Sequence, residues 1–154
     1  MFPKRLLFIS KFFRGRRNRR LCEQIEQLHA EKGDLINVLD IGGSYVFWLT
    51  IPARYRAMCR ISLLNLPGSY GPHFSDEELA IRDTVASLEG DARSMGQFAD
   101  GSFDLVISNS VIEHVGNWMD MRAAAAEALR LGRHGWIQVP AFEFPIEQHY
   151  LAPL

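Results

Sequence analysis

Cysteine is scarce in this sequence of 154 residues: only Cys22 and Cys59 occur, far apart and outside any CxxC or Cys/His ligand spacing. That excludes a disulfide framework and a zinc signature from the expected chemistry, and no metal is expected. Long apolar runs are missing too; none approaches the ~18 residues that a membrane-spanning helix needs. The opening MFPKRLLFISKFFRGRRNRR has a short apolar patch but no small-residue cleavage site after it, so a secretory leader is not expected. The expected location is cytoplasmic, with peripheral contact to a membrane left open. Internal repeats and low-complexity linkers are absent as well, and the length suits one domain.

Acidic residues are absent from the first 20 positions. Lys4, Arg5, Lys11, Arg14, Arg16, Arg17, Arg19 and Arg20 give that segment a charge of +8, while the remainder carries 9 basic and 18 acidic residues, or −9. The net charge of −1 therefore joins a basic arm to an acidic body. Such an arm suits a nucleic acid or an anionic membrane surface, and the apolar side chains of LLFISKFF favour the membrane. A solvated tail leading into the first helix is the alternative.

What is present reads as alternating strands and helices. Leu21, Ile25 and Leu28 recur at helical spacing in RLCEQIEQLHAEK, predicting a helix over 20–32 that Gly33 stops. Five short apolar segments predict strands: LINVLDI (35–41), RISLLNL (60–66), DTVASLEG (83–90), FDLVISN (103–109) and GWIQVP (135–140). The first, second and fourth are apolar on consecutive residues, as in parallel strands covered on both faces. SDEELAIRD opens on a capping box of Ser75 and Glu78, and NWMDMRAAAAEALRLG predicts a helix from Asn117 to Gly132. Pro52 limits any helix after the first strand to a short or irregular one. Trp118 and Trp136 are expected in the core. The fold class is α/β: a Rossmann-like, open, mostly parallel sheet of order 3-2-1-4-5, with helices on both faces.

In such a sheet, ligands bind beyond the carboxyl ends of the strands. The residues standing there are Asp40 with Gly42 and Gly43, Asn65, Asp91 with Ala92, and Ser108 with Asn109. They are polar or small at the ends of greasy segments, where packing gives no reason for them. Asp91 in particular has no evident structural duty.

Taken together, VLDIGG, SLEGDA, GSFDLVISNSVIEHV and GWIQVPAFEFPIEQHY resemble a class I S-adenosylmethionine-dependent methyltransferase from about residue 36 onward. The resemblance implies S-adenosyl-L-methionine as cofactor and a small molecule, lipid or glycan precursor as methyl acceptor. It also implies roles. Asp40 would organise the loop and approach the amino-acid part of the cofactor, and Gly42 would let the backbone come close. Asn65, with Leu66 beside it, stands where the family commonly carries an acid that accepts from both ribose hydroxyls; an amide offers one acceptor. Asp91 would accept from the adenine amino group, Ala92 would offer its backbone amide, and Ser108 and Asn109 would line the floor beneath the sulfonium. In the family pattern D-x-G-x-G-x-G, the later glycines fall at Ser44 and Val46. Either Ser44 is left-handed, at a cost of about 1–2 kcal/mol, or its φ is negative and its hydroxyl can serve the cofactor.

His114 in VIEHVGNW is the candidate base for an acceptor that must lose a proton, or else a histidine satisfied by local hydrogen bonds; Glu113 is equally ambiguous. His149 and Tyr150 could face the substrate. The class I fold has seven strands, so residues 21–154 would make a methyltransferase-like domain lacking strands six and seven. The fifth strand would then be an apolar edge that a partner chain or self-association covers. A non-catalytic scaffold with a decayed methyltransferase fold, docking through its basic arm, is the alternative function.

Overall fold

The structure is a computed structural model that describes residues 4–69, 75–82 and 84–139, with side chains from residue 18 onward. Five parallel strands form one sheet in the order β3-β2-β1-β4-β5. They are β1 (Ile36–Ile41), β2 (Cys59–Asn65), β3 (Val85–Glu89), β4 (Phe103–Asn109) and β5 (Gly132–Gln138). Both the number and the order are those the sequence predicts. The helices are α1 (Lys4–Lys32), α2 (Tyr45–Leu49), α3 (Ala53–Arg56), α4 (Asp76–Arg82) and α5 (Trp118–Leu131).

Alternation along the central strands divides the core into two layers. Val38, Ile61, Leu63, Leu105 and Ile107 face α1 to α4, packing with Leu21, Ile25 and Leu28 of α1, Trp48 of α2 and Ile81 of α4. Leu39, Ile41, Leu64 and Val106 face the other way, against Ala128 and Leu131 of α5 and against Met95. Helices thus cover both faces, which is why β1, β2 and β4 read as unbroken apolar runs.

Two boundaries and one burial differ from the sequence reading. α1 begins at Lys4 rather than at residue 20. Among the described side chains its buried stripe runs from Leu21 to Leu28, where apolar periodicity marked the helix, and no proline interrupts the segment upstream. No helix among the described residues is long and apolar enough to cross a membrane. β5 begins at Gly132, without a loop after α5. That glycine is extended (φ −97°), not left-handed, and a Cβ on it would stand 2.8 Å from Val106 Cγ2 and from the His134 carbonyl oxygen. Close approach to β4, rather than backbone freedom, requires it. Arg133 and His134 then add polar side chains ahead of the GWIQVP segment expected to form an apolar edge. Trp118, expected in the core, is 68% exposed in the first turn of α5, whereas Trp136 packs partly against the core.

Caps fix the helix starts that the sequence marks. Ser75 and Glu78 exchange hydrogen bonds at the start of α4, at 2.9 and 3.2 Å. Asn117 and Asp120 do the same for α5, at 3.0 and 3.2 Å. On the far side of the sheet, the Arg130 guanidinium donates to the carbonyls of Phe98 and Met95 and to Asp100 and Glu127. It thereby ties the 95–100 connection to α5 and steers the chain from β3 into β4.

Candidate functional site

Strand ends converge on one cleft of ≈ 250 Å³. Gly42 follows β1, Asn65 and Leu66 end β2, Asp91 and Ala92 follow β3, and His114 comes from the 3₁₀ turn beyond β4; all six line it. Ile41, Leu64, Val111 and Val115 add apolar wall. The remaining candidates, Asp40, Gly43, Ser44, Ser108 and Asn109, are not part of that lining.

Asp40 lies beneath the loop. Strand alternation turns its side chain to the same face as Val38, where it is 1% exposed. The Trp48 indole Nε1 donates to its Oδ2 at 2.9 Å, and Oδ1 is buried with no hydrogen-bond partner. Burial pushes the carboxyl up to about 7, against the smaller opposing effect of the indole hydrogen bond. A Cβ at Gly43 would stand 2.3 Å from that Oδ2, so the loop rests directly on the carboxyl group. Gly42 adopts φ +67°, and a Cβ there would reach Val111 at 2.5 Å. These two positions require glycine; the following one does not. Ser44 is extended (φ −133°), and its hydroxyl accepts from the Phe47 amide at 3.2 Å, capping α2. Val46 falls within the first turn of α2, where no glycine is needed. The loop has exchanged its later glycines for an early helix start.

Asn65 donates from Nδ2 to the Gly43 carbonyl at 2.9 Å, joining the end of β2 to the glycine turn. The amide therefore serves the loop as a donor, a duty that the ribose comparison did not anticipate.

Asp91 has a structural duty after all. Its Oδ1 accepts from the Arg93 amide at 2.9 Å, and the Arg93 guanidinium grips both oxygens, with Nη2 2.6 Å from Oδ2. Arg93 also reaches Asp120 at 3.1 Å. These bonds, the Arg93 side chain first, hold the Asp91 carboxyl below its usual range. The guanidinium is thus shared between Asp91 at the cleft and Asp120 at the start of α5.

Beyond β4, Ser108 is 2% exposed and its Oγ has no partner. Asn109 Oδ1, both carboxylate oxygens of Glu113 and Gln138 Oε1 are likewise buried without partners. Between them, Ser110 takes a left-handed φ of 57° and donates its amide to the Gln138 carbonyl at 2.8 Å. A non-glycine residue in that region stores strain, as functional turns often do. His114 is exposed, with Nε2 4.0 Å from Glu113 Oε1. His149 and Tyr150 lie outside the described residues. Among the described residues, no group of three or more His, Cys, Asp or Glu could hold a metal ion.

Sequence reasoning missed Trp48, Arg93, Ser110 and Gln138. A signal existed for two of them: period-two alternation places Asp40 on a covered face that must supply a partner, and a basic residue two positions after an Asp suits a turn closed on its carboxylate. Nothing in the sequence marks the left-handed Ser110.

Residues 69–137 match the family model of a methyltransferase domain. No curated protein sequence matches the chain. Among solved structures, the bifunctional kinase-methyltransferase WbdD shares the fold with a TM-score of 0.60 at 18% identity, over 90% of this chain and 31% of that one. CalS10, an amino pentose methyltransferase of Micromonospora echinaspora solved with S-adenosylmethionine bound, gives 0.54 at 19%, over 93% and 58%. Phosphoethanolamine N-methyltransferase 1 of Haemonchus contortus, solved with phosphoethanolamine and S-adenosylhomocysteine, gives 0.54 at 17%, over 75% and 24%. The chain thus spans less than two thirds of each of these proteins. Residues 69–137 are thus similar to a methyltransferase domain, and the solved structures share with this chain its Rossmann-like fold, an open parallel sheet of order 3-2-1-4-5.

Proposed function

We propose that the chain binds S-adenosyl-L-methionine in the cleft at the ends of β1, β2 and β3, and acts as a methyltransferase on a small-molecule, lipid or glycan acceptor. The observation that carries this reading is the convergence of Gly42, Asn65, Asp91 and Ala92 on one hollow. Two features support a fit to the cofactor. The glycine turn brings its bare backbone to the cleft wall at Gly42, where Val111 lies too close for any side chain. The cleft is smaller than the ~300 Å³ or more of a drug-sized pocket, so it suits the adenosine end, with Leu66, Ala92 and Val111 as apolar walls and Asp91 at the rim.

When bound, the cofactor supplies a methyl group activated by a positively charged sulfur. The chain then has to orient the acceptor and keep water away, which for this chemistry is most of catalysis. His114, exposed at the cleft, is the residue placed to take a proton from an acceptor.

Calorimetry with S-adenosylhomocysteine tests the reading. Micromolar binding is expected, weakened at least tenfold by Asp91→Ala. Because Asp91 also closes a turn, Arg93→Ala is the control: it removes the guanidinium contacts while keeping the carboxylate and its bond from the residue-93 amide, so binding should persist. Silence of the wild-type protein at millimolar ligand would favour the scaffold alternative.

The amino-terminal arm belongs to the same proposal, as a dock to an anionic membrane surface. Support comes from its +8 charge, its interspersed Leu, Ile and Phe residues, and the continuity of α1 from Lys4 into the core-packed Leu21–Leu28 stretch. Vesicles of phosphatidylglycerol should co-sediment the protein at low salt and those of phosphatidylcholine should not, with binding lost on deletion of residues 1–17. Binding to duplex DNA or RNA in place of the vesicles would contradict the membrane assignment.

A further inference from the structure

Exposed apolar side chains are not spread evenly over the molecule. Among the described residues, Val46, Leu66, Trp118 and Met119 are each more than half exposed, and connectivity puts all four at the carboxyl end of the sheet. Val46 falls in the first turn of α2, which opens just after β1, and Leu66 follows β2 and lines the cleft. Trp118 and Met119 open α5. Because α5 runs into β5 without a loop, its last turn lies at the amino end of the sheet and its first turn at the carboxyl end. By the same reasoning Leu129, also exposed, marks the opposite end.

Helix α1 leaves the body at the carboxyl end too. Its last residue, Lys32, pairs with Asp104 near the start of β4, while Asn18 Nδ2 donates to Thr50 Oγ1 at 2.9 Å, just past α2. Followed backwards, the helix therefore rises from the amino towards the carboxyl end of the sheet. The turns from residue 17 to Lys4 carry its axis ~21 Å further in that direction. That stretch holds six cations, Lys4, Arg5, Lys11, Arg14, Arg16 and Arg17, and no acid. A cationic helix and bare apolar side chains, a tryptophan among them, thus share one end of the molecule. An anionic bilayer offers a partner to both: headgroup charge for the helix, and the boundary with the acyl chains for Trp118 and its neighbours. A nucleic acid duplex would take up the cations and give the apolar side chains nothing. The acidic start of α4, Asp76, Glu77 and Glu78, belongs to the β3 side, since α4 packs on α2 and β3; contact with an anionic surface falls on the side of β1, β4 and α5.

We infer that the carboxyl end of the sheet is a membrane-docking face: Trp118, Met119 and Val46 enter the interface of an anionic bilayer beside the arm, and the cleft opens towards the lipid. The arm alone would tether the chain in any orientation, whereas the apolar side chains fix one. The inference goes beyond the arm proposed above, rests on it for charge, and is independent of the cofactor.

Tryptophan emission reads the face directly, because the chain has three tryptophans, of which Trp48 is fully buried and Trp136 partly so. Phosphatidylglycerol vesicles with brominated acyl chains should quench the emission of the full chain at low salt, and Trp118→Phe should remove most of that quenching while co-sedimentation persists. Replacing Trp118 and Met119 together by Gln should weaken co-sedimentation at least tenfold, whereas Leu129→Gln at the other end should stay within twofold of wild type; melting temperatures verify that each variant folds. Quenching that survives Trp118→Phe, or equal losses at the two ends, would overturn the inference and leave the arm as a simple tether. A wild-type protein that does not co-sediment at all would overturn the arm reading and this one together. A Trp118 response to duplex DNA in place of vesicles would overturn it as well. Calorimetry with S-adenosylhomocysteine in the absence of lipid judges the cofactor reading separately.

Discussion

Asp40→Asn shifts the balance of stability towards the variant by about 3 kcal/mol between pH 5 and pH 8, measured as the difference between variant and wild-type urea unfolding at each pH. The sign follows from where the proton sits. In the folded protein the Asp40 carboxyl titrates at about 7, against an ordinary value of 3.8. Below the ordinary value it is protonated in both states and burial costs nothing electrostatic. Between the two values the unfolded chain ionises while the folded one keeps its proton, so stability falls by about 1.4 kcal/mol per pH unit. Above 7 both states are ionised, and the whole loss, on the order of 4 kcal/mol, is in place. An amide cannot ionise and escapes it. Parallel pH profiles for the two proteins would show that the carboxyl is not buried as described. Trp48, fully buried and donating to that carboxyl at 2.9 Å, is what makes the burial tolerable.

Gly43→Ala has the second large effect. Its new Cβ would meet Asp40 Oδ2 at 2.3 Å, Cγ at 2.4 Å and Cβ at 2.8 Å. Asp40 is fixed within β1 by its neighbours on β2 and β4, so the strand cannot yield and the loop must. Overpacking of this kind costs roughly 1–3 kcal/mol. Moving the loop also breaks the bond from Asn65 to the Gly43 carbonyl, and it displaces Gly42 at the cleft. Chemical denaturation should show the loss, and binding of S-adenosylhomocysteine should fall at least tenfold in the same variant. Gly96→Ala serves as the comparison, because nothing lies within 4 Å of a Cβ there; it should change stability by less than about 0.5 kcal/mol. Equal effects at the two positions would contradict the account of the loop.

Most of the sheet was legible because its logic is local. Apolar runs such as LINVLDI and FDLVISN can be satisfied only between two layers, and the caps at Ser75 and Asn117 are spelled out in four residues each. The convergence of Gly42, Asn65 and Asp91 was legible for a different reason: strand ends of a parallel sheet of this order must meet. What those side chains do locally was less legible, because it depends on partners brought from elsewhere in space or by turn geometry. Asp40 looked like a rim residue until alternation turned it onto Trp48, and Asp91 looked free until the turn placed Arg93 on its carboxylate. Ser44 seemed a defect in a glycine pattern, yet the early start of α2 makes it a cap.

The central claim is that the ends of β1, β2 and β3 form one cofactor cleft, and amide chemical shifts test it most directly. On titration of ¹⁵N-labelled protein with S-adenosylhomocysteine, the amides of Gly42, Asn65, Leu66, Asp91 and Ala92 should shift together along one saturable curve, while those of Arg133 and His134 on β5 stay still. Shifts that scatter over the surface, or that leave Gly42 and Asp91 unmoved at saturating ligand, would contradict it.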